Sequence, residues 1–227
     1  PVGGEPHYVA PATDDIQWKY AGTLTAGLNF YYDDNSGNDG YPTKINVSAV
    51  PYNNNQAGNI CYYTWTCPAT AGTTYRVKAV YINDTDYVND ASAADFPVKG
   101  NVYLTYPGMD DQNPETWYVS GATLGSNSLN SNVGWTVTGG IAEVDIILST
   151  NGDDWVTNVY SVASQIAGNA SPHYWNIPDD GTRESVTSNT CRIKVRDHGD
   201  QTVEDVSTND FYIKPRVYLD ALVGTPW

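Results

Sequence analysis

The sequence predicts an all-β chain built from two successive β-sandwich domains. Three observations carry that expectation. Short runs of alternating apolar and polar residues, bounded by Gly, Pro, Asn and Asp, dominate the 227 residues, and no segment sustains a helical period. The chain also repeats itself, at an offset that drifts between 110 and 117 residues. That period is too long for a solenoid repeat and suits a whole domain. Finally, the acidic residues are 21 Asp and only 5 Glu, and Asp favours turns and loops over helices.

The matched segments run in order along the chain. Ile16-Gln-Trp18 corresponds to Val133-Gly-Trp135, and Leu28-Asn-Phe30-Tyr-Tyr32 to Val144-Asp-Ile146-Ile-Leu148. Tyr63-Thr-Trp65-Thr-Cys-Pro68 corresponds to His173-Tyr-Trp175-Asn-Ile-Pro178, and Tyr75-Arg-Val-Lys78 to Cys191-Arg-Ile-Lys194. Asp95-Phe96-Pro-Val98-Lys99 corresponds to Asp210-Phe211-Tyr-Ile213-Lys214. The drift in offset is what results when loops vary and strands do not.

Strand periodicity assigns faces. Ala142, Val144, Ile146 and Leu148 are expected to face the core, with Glu143, Asp145 and Ile147 outward. Cys191, Ile193 and Val195 are likewise inward, with Arg192, Lys194 and Arg196 outward. In a seven-stranded sandwich these two strands are sheet neighbours, so their outward acids and bases pair across strands. Such exposed pairs contribute only about 0–1 kcal/mol each and help set register. Trp18, Trp65, Trp135 and Trp175 recur at matched positions and read as buried core aromatics. His7 aligns with Trp117, which gives it a packing role.

The two ends of the sequence complete one another. Residues 216–227, RVYLDALVGTPW, match the beginning of the stretch 101–119, and residues 1–9 match its end. The expected organisation is a sandwich over 1–99 that lacks its first strand, a complete sandwich over 100–214, and a spare first strand over 215–227. A sandwich without its first strand leaves a sheet edge open to pairing by another strand. Arg216, Val217, Tyr218, Leu219 and Leu222 are therefore the expected strand-donor residues, and the expected partner is a copy of the same unit, joined head-to-tail. Covalent continuity in a longer polypeptide and donation between separate subunits, as in pili, both fit.

Composition narrows the function classes. With 26 acidic against 11 basic residues, the net charge of −15 argues against nucleic acid or an anionic membrane as partner. No apolar run reaches the roughly 18 residues of a membrane span. Cys61 and Cys67 flank YYTWT; on one extended strand they lie about 20 Å apart, far beyond the roughly 4.4–6.8 Å of a disulfide, so a bridge requires Cys61 on a loop that folds back. Asn46, Asn83 and Asn169 open acceptor sequons for glycosylation.

Several segments together resemble a known pattern. Gly3-Gly-Glu-Pro-His7 stands near the start, and each copy has a Trp on its second strand. The second copy adds Val144-x-Ile-x-Leu-Ser-Thr-Asn-Gly-x-x-Trp155, Tyr174-Trp-x-Ile-Pro178, Cys191-Arg-Ile-Lys-Val195 and Ser207-Thr-x-Asp-Phe-x-Ile213. This resembles the Ig-like tandem repeats of large bacterial and archaeal surface proteins. It is also similar to the Ser/Thr-rich, membrane-anchored repeat family of fungal cell-wall proteins. The first copy departs at 33–40, DDNSGNDG, where the second has STNGDDW. The resemblance implies two extracellular Ig-like sandwiches used as spacer, stalk or adhesive element, and it brings no catalytic residues.

The residues themselves offer little chemistry. The three histidines fall in unrelated positions, and no Gly-x-Ser-x-Gly, His-Glu-x-x-His or phosphate loop occurs. Acidic pairs are plentiful, but nothing singles one out as an acid and base for glycoside hydrolysis; the chain reads as a non-enzyme. Two loops supply candidate calcium ligands, Asp33, Asp34, Asn35, Asn38 and Asp39 in one, Asn83, Asp84, Asp86 and Asp90 in the other, without EF-hand spacing. Tyr31 and its counterpart Ile147 fall on the outward face in both copies, a candidate lateral interface. The expected function is a structural subunit of an extracellular filament or surface array. The alternatives are an extracellular adhesion or glycan-binding module, or spacer domains of a larger surface enzyme.

Overall fold

The computed structural model describes residues 6–54, 56–107, 115–119, 132–177 and 186–215. The chain divides into two compact units: unit 1 is Pro1–Asn101 with Thr138–Gly140, and unit 2 is Val102–Val137 with Ile141–Trp227. Residues 216–227, which include Arg216, Val217, Tyr218, Leu219 and Leu222, lie outside the described residues.

Unit 1 contains β1 (His7–Tyr8), β2 (Thr13–Trp18), β3 (Leu28–Asp33), β4 (Thr43–Lys44), β5 (Cys61–Thr66), β6 (Gly72–Tyr81), β7 (Asn89–Ala91) and β8 (Phe96–Lys99). Its larger sheet has the order β1-β8-β6-β3-β4, with β7 also on β6, and the smaller is β2-β5. Unit 2 contains β9 (Asn101–Tyr106), β10 (Thr116–Tyr118), β11 (Asn132–Thr138), β12 (Glu143–Ser149), β13 (Val159–Ala167), β14 (His173–Tyr174), β15 (Ser188–Asp197), β16 (Glu204–Val206) and β17 (Phe211–Lys214). Its sheets are β10-β17-β15-β12-β13, with β16 on β15, and β14-β11-β9. The protein is thus all-β, two tandem Ig-like sandwiches.

The repeat in sequence is a repeat in register. Ile16 pairs with Tyr63 as Val133 pairs with His173. Tyr31 pairs with Lys78 as Ile147 pairs with Lys194. The short strands β1 and β10 run parallel to β8 and β17, with His7 opposite Val98 and Trp117 opposite Ile213.

Each unit has its own core. In unit 2 the alternation of β15 works as periodicity requires: Cys191, Ile193 and Val195 are fully buried, as are Val144, Ile146 and Leu148 of β12. In unit 1 Phe30, Val77, Phe96 and Val98 take the same role. His7 is buried at its matched position, its ring edge-on to Phe96 at 4.7 Å, while Trp117 packs on Phe211 at 4.4 Å.

Four expectations need correction. Trp65 and Trp135 are buried, but Trp18 and Trp175 are only half-buried. Trp18 ends β2 and sends its indole N–H to the Tyr52 carbonyl at 2.8 Å, so it closes the sandwich from its margin. Ala142 is exposed because it precedes β12. Asp145 lies on the outward face yet is buried, because β13 bulges opposite Val144 and Ile146 and brings Ser164 and Gln165 onto it. The cross-strand charges pair selectively: Asp145 meets Arg196 at 3.5 Å, but Lys194 turns to Glu204 on β16 at 2.7 Å. All three thiols are free and buried, with Cys61 opening β5 and Cys67 just beyond it. Burial pushes the Cys67 thiol up to about 11 and Cys191 to about 12.

Candidate functional site

The site builds from a difference between the two units. In unit 2, β11 lies between β14 and β9. Val102 and Leu104, two residues apart on β9, both point into the core. The Leu104 N–H donates to Asp205 Oδ2 at 2.7 Å. Asp205 sits on β16, in the other sheet, so β9 bridges from the edge of β11 to the edge of the opposite layer. It lies tight: a Cβ added at Gly134 of β11 would stand 2.9 Å from Thr105 Oγ1.

In unit 1, β2 has β5 on one side, and among the described residues no strand pairs with its other edge. A groove of about 810 Å³ runs there. Ile16, Trp18, Leu28 and Phe30 line it from the core side, and β7 contributes Asp90 and Ala91. Its lining also includes Tyr20, Ile60, Tyr87 and Val88, all large apolar side chains left exposed. An unpaired edge beside an apolar floor is a template for an incoming strand.

The walls of groove and filled site are built by one motif. Asp90-Ala-Ser92-Ala-Ala-Asp95-Phe96 matches Asp205-Val-Ser207-Thr-Asn-Asp210-Phe211. The second Asp pairs with the strand before it, Asp95 with Arg76 at 2.5 Å and Asp210 with Arg192 at 2.7 Å. The Ser hydroxyl accepts the Val77 N–H at 3.3 Å and the Ile193 N–H at 3.2 Å. The first Asp folds back onto its own strand: Asp90 Oδ1 accepts the Ala91 N–H at 2.9 Å, and Asp205 Oδ1 accepts the Val206 N–H at 2.9 Å. Sequence reasoning placed Asp90 only among candidate calcium ligands and missed Asp205, although the repeated Asp-x-Ser-x-x-Asp-Phe was there to be found.

The candidate calcium loops resolve differently. The carboxylates of Asp33, Asp34 and Asp39 come within 4.8 Å of one another. Asp33, however, is 1 % exposed and already engaged: Oδ1 accepts the N–H groups of Asn35 and Gly37 at 2.7 and 3.0 Å, and Oδ2 those of Asp39 and Tyr41 at 3.1 and 3.2 Å. Burial pushes its carboxyl up, but the four N–H groups outweigh that and hold it below the usual carboxylate range. Asn35 turns its amide to Asp39 Oδ1 at 3.2 Å. The set does not fit a calcium ion, which would have to displace four N–H dipoles aimed at the same two oxygens. It is a loop closed around a buried carboxylate. In the other loop Asp84 accepts the Tyr87 N–H at 3.2 Å and Asp86 accepts from Thr85 at 3.5 Å, all of them exposed.

The chain matches no protein-family model, and no curated protein matches it. Among solved structures, the fibronectin(III)-like modules of Clostridium thermocellum CbhA align over 97% of this chain and 96% of theirs, at 15% identity and a TM-score of 0.27. The two tandem V-type regions of VCBP3, a v-region-containing chitin binding protein, align over 93% of this chain and 96% of theirs, at 9% identity and a TM-score of 0.24. Likeness of this size bears on neither activity nor partner.

The remaining candidates scatter. Tyr31 and Ile147 do occupy one position, but both are half-buried, Tyr31 between Lys44 and Lys78 and Ile147 between Ser161 and Lys194. Asn83 and Asn169 are exposed, whereas Asn46 is 2 % exposed. The Asn46 amide accepts the Phe30 N–H at 2.7 Å and donates to Leu28 O at 3.1 Å and Ser48 O at 2.7 Å, so this packing leaves no Nδ2 for a glycan. Near His198, Ser164 donates to Asp145 at 2.6 Å, and His198 Nδ1 also meets Asp145, at 2.9 Å. Serine and histidine both bond the carboxylate and not each other, so the set is no nucleophile–base relay.

Proposed function

We propose that this chain is a non-catalytic structural subunit of an extracellular filament or surface array, in which residues 216–222 of one copy occupy the groove of unit 1 in the next. One observation carries the reading: among the described residues, unit 1 has an open, apolar groove at the place that β9 fills in unit 2. Sequence names the occupant, since Arg216-Val-Tyr-Leu219 repeats Asn101-Val-Tyr-Leu104. Val217 and Leu219 then take the buried places of Val102 and Leu104. The contact joins two different surfaces and does not close on itself, so it propagates as a line. An extracellular setting follows from the resemblance to surface-protein repeats.

Magnitudes decide what the joint must contain. Burying Val217 and Leu219 is worth about 1.5–3 kcal/mol each. Association costs about 4–15 kcal/mol in lost freedom. Two anchors do not cover that range, so a main-chain ladder along β2 has to form as well. Light scattering on the full chain, compared with a chain ending at residue 214, tests the reading. Particles that lengthen with concentration are expected for the full chain alone; a full chain that stays monomeric throughout overturns it. Denaturing electrophoresis of native material separates the two forms of joint. A band near 24.8 kDa means separate subunits, and a far larger one means units in series along one polypeptide.

A further inference from the structure

We infer that Asp90 receives the incoming strand and sets its register, its Oδ2 accepting the main-chain N–H of Leu219. This rests on the strand-complementation reading and adds a specific contact to it. In unit 2 the matching Asp205 holds the matching residue, Leu104, by that bond at 2.7 Å. Asp90 is already in the receiving conformation, because both carboxylates are oriented by the same Oδ1 contact to the following N–H, at 2.9 Å in each unit. Among the described residues Asp90 Oδ2 has no hydrogen-bond partner. Asp205 is half-buried with β9 beside it, whereas Asp90 is exposed. Asp90 lines the groove itself.

The contact fixes which residues enter. With Leu219 on Asp90, Val217 and Leu219 face the core and Tyr218 faces solvent, as Tyr103 does at 52 % exposure. A slip of one residue would turn the tyrosine inward and both aliphatic residues outward. A change in size at the edge fits this register. Where β11 has Gly134, β2 has Gln17, and the added Cβ at 134 would stand 3.4 Å from the Tyr106 Cβ. The residue that takes the place of Tyr106 in this register is Ala221, so at that position the larger side chain on the receiving strand meets a smaller one, while Thr105, nearer at 2.9 Å, is replaced by Asp220, which is not smaller.

The test uses a fluorescent peptide of residues 215–224 titrated with the full chain, kept dilute enough to be monomeric by light scattering. Its affinity is compared for the wild type, Asp90→Ala and Asp90→Asn. A second peptide carries an N-methyl group on Leu219, which removes the N–H. A hydrogen bond to a charged acceptor predicts about a tenfold or greater loss for Asp90→Ala, with a smaller loss for the neutral Asn. N-methylation should weaken binding to the wild type by a similar factor and cost much less on Asp90→Ala, because two changes to one bond are not additive. Equal binding by wild type and Asp90→Ala overturns the role of Asp90 while strand complementation stands. No binding by the wild type overturns both. Melting curves check that Asp90→Ala is folded; if it is not, the Asn variant and the N-methyl peptide decide, and undiminished binding in both overturns the inference.

Discussion

Asn46 is the side chain whose removal should cost unit 1 most for its size. Between the pairings of β3 with β4, which the Ile45 N–H extends to Phe30 O at 2.8 Å, and the bridge of Leu28 to Val50, the chain at 46–49 leaves the sheet. The Asn46 amide substitutes for the missing backbone, accepting the Phe30 N–H at 2.7 Å and donating to Leu28 O at 3.1 Å and Ser48 O at 2.7 Å. In Asn46→Ala, Leu28 O keeps the Val50 N–H at 2.9 Å, and the exposed Ser48 carbonyl gains water. The Phe30 N–H, next to a fully buried ring, has no replacement. A stranded buried donor costs about 1–3 kcal/mol, and each of the other lost bonds about 0.5–1.5 kcal/mol. The sum is about 2 kcal/mol or more, which lowers Tm by about 8 °C or more in a domain of this size. Scanning calorimetry of wild type and variant reads this directly. Asn46→Asp keeps the acceptor but sets a charge against two carbonyls, so at neutral pH it should be at least as damaging and partly recover as acid neutralises it. A shift in Tm below about 2 °C for Asn46→Ala would refute the accounting.

Three further outcomes follow from the same contacts. The Asp33 carboxyl is held below its unfolded value, so its contribution is present above about pH 4 and is lost as pH falls through the lower folded value; Asp33→Ala should lower Tm at neutral pH, and a gap that fails to narrow in acid would rule out the buried-carboxylate account. Excess chelator should leave the Tm of the full chain unchanged, since the oxygens of Asp33 are taken by N–H groups; a fall in Tm would restore calcium. Thiol reagents at mildly alkaline pH should not label the native chain, because all three cysteines are buried and Cys67 and Cys191 stay protonated there; guanidinium should release all three, and rapid native labelling would contradict the packing.

Alternation and repetition are local properties, and they determined a great deal. A period of two places Cys191, Ile193 and Val195 inward whatever surrounds them. Aligning the copies equates Tyr31 with Ile147 and Lys78 with Lys194, so a pairing made in one copy is expected to recur in the other; that Tyr31 faces Lys78 and Ile147 faces Lys194 came from the structure. Repetition also marked 216–219 as kin to 101–104. What covers the outward face is not local. Asp145 was legible as outward-facing, but its burial depends on a bulge in β13, some 20 residues on. Asp33 and Asn46 look like surface polar residues in a loop-rich sequence. Only the folded path of the main chain decides that one is ringed by four N–H groups and the other stands in for a strand. The groove is the extreme case. Ile16, Trp18 and Asp90 are far apart in sequence, and nothing in their spacing says that they face one another. That relation exists only once two sheets close on a core and, among the described residues, leave one edge of β2 without a partner strand, because an open edge is a property of what lies beside a strand rather than of the strand itself.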